Sequence, residues 1–153
     1  MAANQKQIGG NHYKTPYEHW DLVIITGIGY LEGCSTKYVS RWRKKEGIKD
    51  LQKGQHYLEK LIESYDIYDI LDTRMRGERL EEEVDKFAKA NNLMQTERDY
   101  VYQLCSFQSR EDLIESMALL RWIISGAEAG ELTRARSKPT GPGTPEDGGH
   151  YER

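Results

Sequence analysis

The sequence predicts an all-α fold, and three observations carry that expectation. Charged residues make up 31% of the chain, Val and Ile are sparse, and no proline occurs between Pro16 and Pro139. Together these favour helices over sheet, because β-branched residues build strands and an interior proline breaks a helix. At 153 residues the chain is long enough for one domain with a genuine core and too short for two ordinary ones.

The elements follow in order. Residues 1–16 are polar and glycine-containing and read as an N-terminal arm. Pro16 suits the first turn of a short helix over YEHWDLVIIT, which Gly27 stops. From Tyr30 to Lys45 the pattern is helical, with Leu31, Tyr38 and Trp42 on one face and Val39 on its flank. Gly47 closes that helix. Asp50 is expected to cap the next, whose apolar stripe runs through Leu51, Leu58, Leu61, Ile62, Tyr65 and Tyr68 to about Leu71. Arg76-Gly77 ends it, and residues 79–91, 97–107 and 111–125 form three more amphipathic segments. After Gly126 the composition becomes polar and rich in glycine and proline, too poor in apolar surface to offset its ordering entropy, so 127–153 is expected to be a disordered tail.

Sliding the chain on itself by 62 positions superposes Leu31 on Leu93, Tyr38-Val39 on Tyr100-Val101, Asp50-Leu51 on Asp112-Leu113, Leu58 on Leu120 and Ile62 on Ile124. The matches fall at helix starts and apolar positions, so the helical domain, 17–126, is read as two similar hairpins, 31–64 and 93–126.

Charge is unevenly placed. Lys37, Arg41, Arg43, Lys44, Lys45, Lys49 and Lys53 face only Glu46 and Asp50 within that stretch, a local excess of +5 in a chain of net −3. Lys37, Arg41 and Lys44 fall within a helical arc of roughly 60°. Opposite Arg41, Lys44 and Lys45 the second hairpin has Gln103, Ser106 and Phe107, so the scaffold does not demand those charges. A confined basic face in an acidic chain fits a small anion better than bulk nucleic acid, whose binders are broadly basic. Cys34 and Cys105 are isolated, which suits a reducing interior, and His19 and His56 lack metal-ligand spacing. No apolar run approaches a membrane span, no secretory signal opens the chain, and no P-loop or Rossmann glycine pattern occurs. The glycines of GIGYLEG read as turn and packing residues beside a helix start whose N–H groups can face an anion.

The series Asn11-His12-Tyr13, Gly33-x-x-x-Lys37-Tyr38-x-x-Arg41, Asp50-Leu51-x-Lys53 and Tyr57 resembles the SaV-like phage protein family, over about residues 11–63. Cys34 stands where relatives often carry Asn, and Gly54 where Ala is frequent. The resemblance implies a phage protein of the host cytoplasm that binds nucleotides, in one case a nucleotide kinase acting on deoxynucleoside monophosphates with ATP or another triphosphate as phosphoryl donor. The phosphate ligands expected here are Lys37, Arg41, Lys44, Lys45 and Lys53, with His12 donating to phosphate and Tyr13 stacking on a base; Asn11, Tyr38, Asp50 and Tyr57 support them. Alternatives are a protein that sequesters a nucleotide signal without turnover, and a helical oligomerisation or host-inhibitor module. A homo-oligomer is expected, and no membrane, metal or bulk nucleic-acid partner. On this reading Arg41→Gln and Lys37→Gln weaken nucleotide binding and leave stability nearly unchanged.

Overall fold

The computed structural model describes residues 2–6, 8, 15–68 and 73–130, and these residues form six α-helices and no strand. They are α1 (His19–Thr26), α2 (Tyr30–Arg41), α3 (Ile48–Glu63), α4 (Gly77–Ala90), α5 (Gln95–Ser106) and α6 (Arg110–Glu128). Short 3₁₀ turns occupy Ala2–Gln5 and Trp42–Lys44. The expected all-α class holds. Among the described residues no helix is long and apolar enough to cross a membrane. Of the expected disordered tail, 127–153, residues 127–130 are ordered at the end of α6, and 131–153 lie outside the described residues.

Helix boundaries depart from the sequence pattern at several places. α1 begins at His19 after N-cap Glu18, so Pro16 lies outside its first turn, and α2 ends at Arg41, short of Lys45, where the 3₁₀ turn Trp42–Lys44 takes over. Asp50 is not the N-cap of α3; Gly47 is, at φ +63°, and Asp50 sits in the first turn with its Oδ2 accepting from the Glu46 amide at 3.2 Å. The apolar stripe expected to reach Leu71 leaves the helix at Glu63. There the Ser64 hydroxyl closes on the Lys60 carbonyl at 2.5 Å, and the following tyrosines anchor elsewhere, Tyr65 on the Gln108 carbonyl at 2.9 Å and Tyr68 on Glu32 at 2.7 Å. Finally, α6 runs past Gly126 to Glu128 and turns at Gly130, φ +76°. Its start is a capping box in which Ser109 and Asp112 satisfy each other's backbone amides at 3.1 Å each.

Two apolar clusters meet on α5. The larger joins Val39, Trp42, Leu51, Leu58 and Leu61 of the first helices to Tyr100, Leu104, Phe107, Leu113, Leu120 and Ile123. The smaller joins Leu22 and Ile28 to Leu80, Val84, Phe87, Val101 and Cys105. Helix α5 therefore presents Tyr100 and Leu104 to one cluster and Val101 and Cys105 to the other, and the packing of α1 and α4 rests on it.

The buried face of α2 differs from the apolar reading. Glu32, Gly33, Ser35, Thr36 and Val39 are buried, whereas Leu31 and Tyr38 are half-exposed. Small polar residues fill this face because the helices approach closely there, and their hydrogen bonds are met internally. Ser35 donates to the Gly54 carbonyl at 2.8 Å, which leaves its oxygen to accept from the buried Tyr100 hydroxyl at 2.6 Å. A Cβ at Gly54 would lie 2.9 Å from Val39 Cγ2 and 3.3 Å from the Ser35 carbonyl.

Buried positions correspond at a separation of 62 between α3 and α6, pairing Leu51 with Leu113, Gly54 with Ser116, Leu58 with Leu120 and Leu61 with Ile123. Between α2 and α5 they correspond at 65, pairing Glu32 with Glu97, Ser35 with Tyr100, Thr36 with Val101, Val39 with Leu104 and Trp42 with Phe107. The difference of three falls in the connection after Trp42, which holds Arg43, Lys44 and Lys45. In this register Ser106, not Gln103, stands opposite Arg41.

Gly54→Val is expected to lower stability in urea denaturation by about 1–3 kcal/mol, as overpacking of a close helix contact does, with little change in the slope of the transition.

Candidate functional site

The basic stretch divides between two environments. One is the protein's own carboxylates. Asp50 is fully buried, and Arg41 meets it with Nε 3.3 Å from Oδ2 and Nη2 3.4 Å from Oδ1. Lys53 lies 3.8 Å from Asp50 and donates to Glu46 at 2.6 Å, an ion pair that raises the Lys53 pKa and lowers that of Glu46. Glu97, also fully buried, accepts from the Trp42 indole at 2.7 Å, from the Met94 amide at 2.9 Å and from the Arg43 guanidinium, which stacks over the Trp42 ring. Arg41, Arg43 and Lys53 thus each neutralise an acid inside the fold.

The second environment is a cleft between α1, α2 and α4. Thr15, His19, Lys37, Ser40, Arg41, Lys44, Phe87 and Asn91 line it, and it encloses about 30 Å³, room for two or so waters or an oxyanion headgroup on that measure. Lys37 and Arg41 are one turn apart on α2, and the 3₁₀ turn after Trp42 brings Lys44 alongside them. The closeness of His19 to these cations follows from helix packing: its Nε2 lies 2.9 Å from Thr36 Oγ1, and its ring meets Phe87 edge-on at 5.9 Å. Thr36 has one hydroxyl proton and lies 2.8 and 3.2 Å from the Glu32 and Gly33 carbonyls, which only accept, so the contacts are satisfied together when His19 Nε2 donates to Thr36. This assignment puts the proton on Nε2 and a lone pair on Nδ1. Burial, then the charges of Lys37 and Arg41, depress the His19 pKa to about 3, so the ring is neutral at physiological pH.

On the other flank of α2 lies an aromatic ladder. Tyr38 stacks on Tyr57 at 5.8 Å and 13°, Tyr30 meets Tyr57 edge-on at 6.2 Å, and Arg41 lies 4.6 Å from the Tyr38 centroid. Lys37 and Lys53 approach the same ring at 5.9 and 5.4 Å. Tyr30 is 71% exposed.

Of the residues the sequence singles out, the cleft unites Lys37, Arg41 and Lys44. Lys53 and Asp50 belong to the ion-pair network beside it, Tyr38 and Tyr57 to the ladder, and Lys45 follows Lys44 in the turn without lining the cleft. Asn11, His12 and Tyr13 lie outside the described residues. The N-terminus of α2 is not an anion site: the Tyr68 hydroxyl occupies it, 3.2 Å from the Leu31 amide and 2.7 Å from Glu32. His19, Thr15, Ser40, Phe87 and Asn91 are cleft residues that sequence patterning does not reveal, because four separate segments supply them; the alignment of Lys37, Arg41 and Lys44 is the one signal that points there. No protein-family model, curated protein or solved structure matches the chain.

Two outcomes follow. The pairing of Arg41 with buried Asp50 corrects the expectation that this side chain is dispensable: Arg41→Gln should lower stability by about 3 kcal/mol, the lower end for breaking a buried pair, while Lys37→Gln stays within about 0.5 kcal/mol. Paired urea titrations would show the split. His19, whose folded pKa of about 3 lies below the ordinary 6.5, contributes stability present above pH 6.5 and lost as pH falls through the window between these values. Between pH 6.5 and 5 the parent should lose at most about 1.4 kcal/mol per pH unit more than His19→Asn, measured by denaturation at each pH.

Proposed function

We propose that the protein binds a nucleotide, with a phosphate in the cleft and the nucleoside lying along the exposed face of α2. The observation that carries this reading is the convergence of Lys37, Arg41 and Lys44 on one small cleft. A partly buried cluster of cations holds a phosphate through charge-assisted hydrogen bonds, and Arg41 can grip it bidentately. Tyr30, exposed and seven residues before Lys37, sits about 10 Å along the helix from it, within reach of a nucleobase whose phosphate occupies the cleft. Stacking on such a ring is sequence-tolerant and contributes about 1–3 kcal/mol per base.

The resemblance to the SaV-like phage family supplies the finer reading, a nucleotide kinase of the host cytoplasm using ATP or another triphosphate. The lining of the cleft favours binding over transfer. Phosphoryl transfer rests on cations that neutralise developing charge and on a group that orients the nucleophile; among the described residues the lining supplies the cations, and no carboxylate belongs to it. Retention of a nucleotide signal without turnover is therefore the form of the proposal that these residues support. Self-association is part of it, because Trp20 and Ile24 on α1 and Ile114 and Trp122 on α6 are 47, 70, 53 and 56% exposed and offer apolar surface for a second copy.

Calorimetric titration with a panel of deoxynucleoside monophosphates is expected to give saturable binding that Lys37→Gln and Lys44→Gln each weaken by about 1.5–3 kcal/mol, with unfolding midpoints unchanged. Incubation of the best ligand with ATP then separates the two forms: recovery of the intact ligand supports retention, and appearance of the diphosphate supports the kinase. No binding by any nucleotide, or equal binding by parent and both variants, sinks the proposal.

A further inference from the structure

The neutral polar groups of the cleft share a property that its cations conceal. Thr15 Oγ1 lies 2.6 Å from the Tyr17 carbonyl and Ser40 Oγ 2.6 Å from the Thr36 carbonyl. A carbonyl oxygen only accepts, so each hydroxyl has its single proton committed to the backbone and turns lone pairs to its remaining surroundings. Asn91 Nδ2 donates to the Tyr17 carbonyl at 2.8 Å and to the Phe87 carbonyl at 3.0 Å, which uses both amide hydrogens and leaves Oδ1 as an acceptor. His19 Nε2 donates to Thr36, so Nδ1 is likewise an acceptor. Four neutral groups from four segments thus offer acceptors only. The donors of the lining are the ammonium and guanidinium groups of Lys37, Arg41 and Lys44, whose three or five N–H bonds each can serve more than one partner.

A fully deprotonated oxyanion satisfies the cations and meets the acceptors with repulsion, whereas an oxyanion bearing an O–H satisfies both. We propose that the cleft selects an oxyanion that carries its own proton, a hydrogen phosphate, over an unprotonated one of similar size and charge such as sulfate or a phosphodiester. This deepens the nucleotide reading and rests on it. It assigns the ligand a terminal phosphomonoester and makes Thr15, Ser40, His19 and Asn91 specificity-determining residues. The physical basis is the asymmetry of hydrogen bonding in confined sites, where an acceptor left without a donor costs far more than a made bond contributes.

The test is competition for the full chain, followed by calorimetry and by chemical-shift changes of the His19 ring, with inorganic phosphate, sulfate, a deoxynucleoside 5′-monophosphate and a dialkyl phosphate as probes at pH 6. Inorganic phosphate should bind at least ten-fold more tightly than sulfate, and the monophosphate more tightly than the dialkyl ester. A monophosphate that outcompetes inorganic phosphate identifies the nucleotide as the source of the phosphoryl group, and the reverse order identifies free phosphate. His19→Phe should reduce the phosphate-to-sulfate ratio several-fold, and Ser40→Ala provides the same readout should His19→Phe fail to fold. Equal affinity for phosphate and sulfate overturns this inference while leaving the cationic cleft as an anion site. A ratio unchanged in both variants overturns the assignment of the acceptors. Failure of every probe to bind removes the nucleotide reading itself.

Discussion

The rest of the structure depends on the burial of carboxylates. Asp50 and Glu97 are fully buried, and a carboxylate withdrawn from water is tolerated only where cations and amide donors replace its hydration. Arg41 performs that task for Asp50 and Arg43 for Glu97, on either side of Trp42. The 3₁₀ turn after α2 is where this becomes geometry: it aims Arg43 at α5 and leaves Arg41 facing α3, so a single turn ties the first two helices to the centre of the molecule. Glu32, another buried acid, is met differently, through the Tyr68 hydroxyl at 2.7 Å, and desolvation raises its pKa. Its tyrosine comes from the segment that leaves α3 early, which accounts for that helix stopping at Glu63.

The cleft is a consequence of the same arrangement. Small residues on α2 let α3 approach on one side, and Thr36 receives His19 of α1 on the other. Phe87 of α4 supplies an apolar floor against the His19 ring. The cations at the rim are held by the helix and turn that the buried carboxylates fix, and their charge adds to burial in keeping His19 neutral.

All-α class was legible in the sequence because it depends on sums: proline-free stretches, propensities and amphipathic period. A boundary was legible where a local chemical group sets it, as at Gly27. Boundaries were misread where a distant partner decides, as with Tyr65 and Tyr68, whose targets Gln108 and Glu32 lie far along the chain. The basic face was visible as an excess of charge, and three of its members could be aligned on α2 and its extension. What the residues neutralise was not visible, since Glu97 is remote in sequence and Asp50 read as a cap. An apolar template also overlooked the buried face of α2, because Ser35 and Thr36 are buried by satisfied hydrogen bonds and not by hydrophobicity. His19 lacked ligand spacing, and its position against Lys37 and Arg41 required the crossing of α1 and α2.

Arg41 stands in both environments at once, and this sets how the site and the fold are coupled. Its guanidinium faces Asp50 within the ion-pair network and also lines the cleft, with the Tyr38 ring 4.6 Å away. An anion entering the cleft therefore shares a cation with a buried carboxylate. The competition is softened by Lys53, 3.8 Å from Asp50, and by the Glu46 amide, both of which continue to serve Asp50 when part of the guanidinium turns to a ligand. The planar fork of arginine suits this division, since separate N–H edges bind separate acceptors, and a lysine ammonium at the same position would hold Asp50 as a point charge without presenting a second edge. Lys37 and Lys44 line the same cleft beside Arg41, so part of the basal attraction for anions is tied to the ion pair that holds α2 against α3.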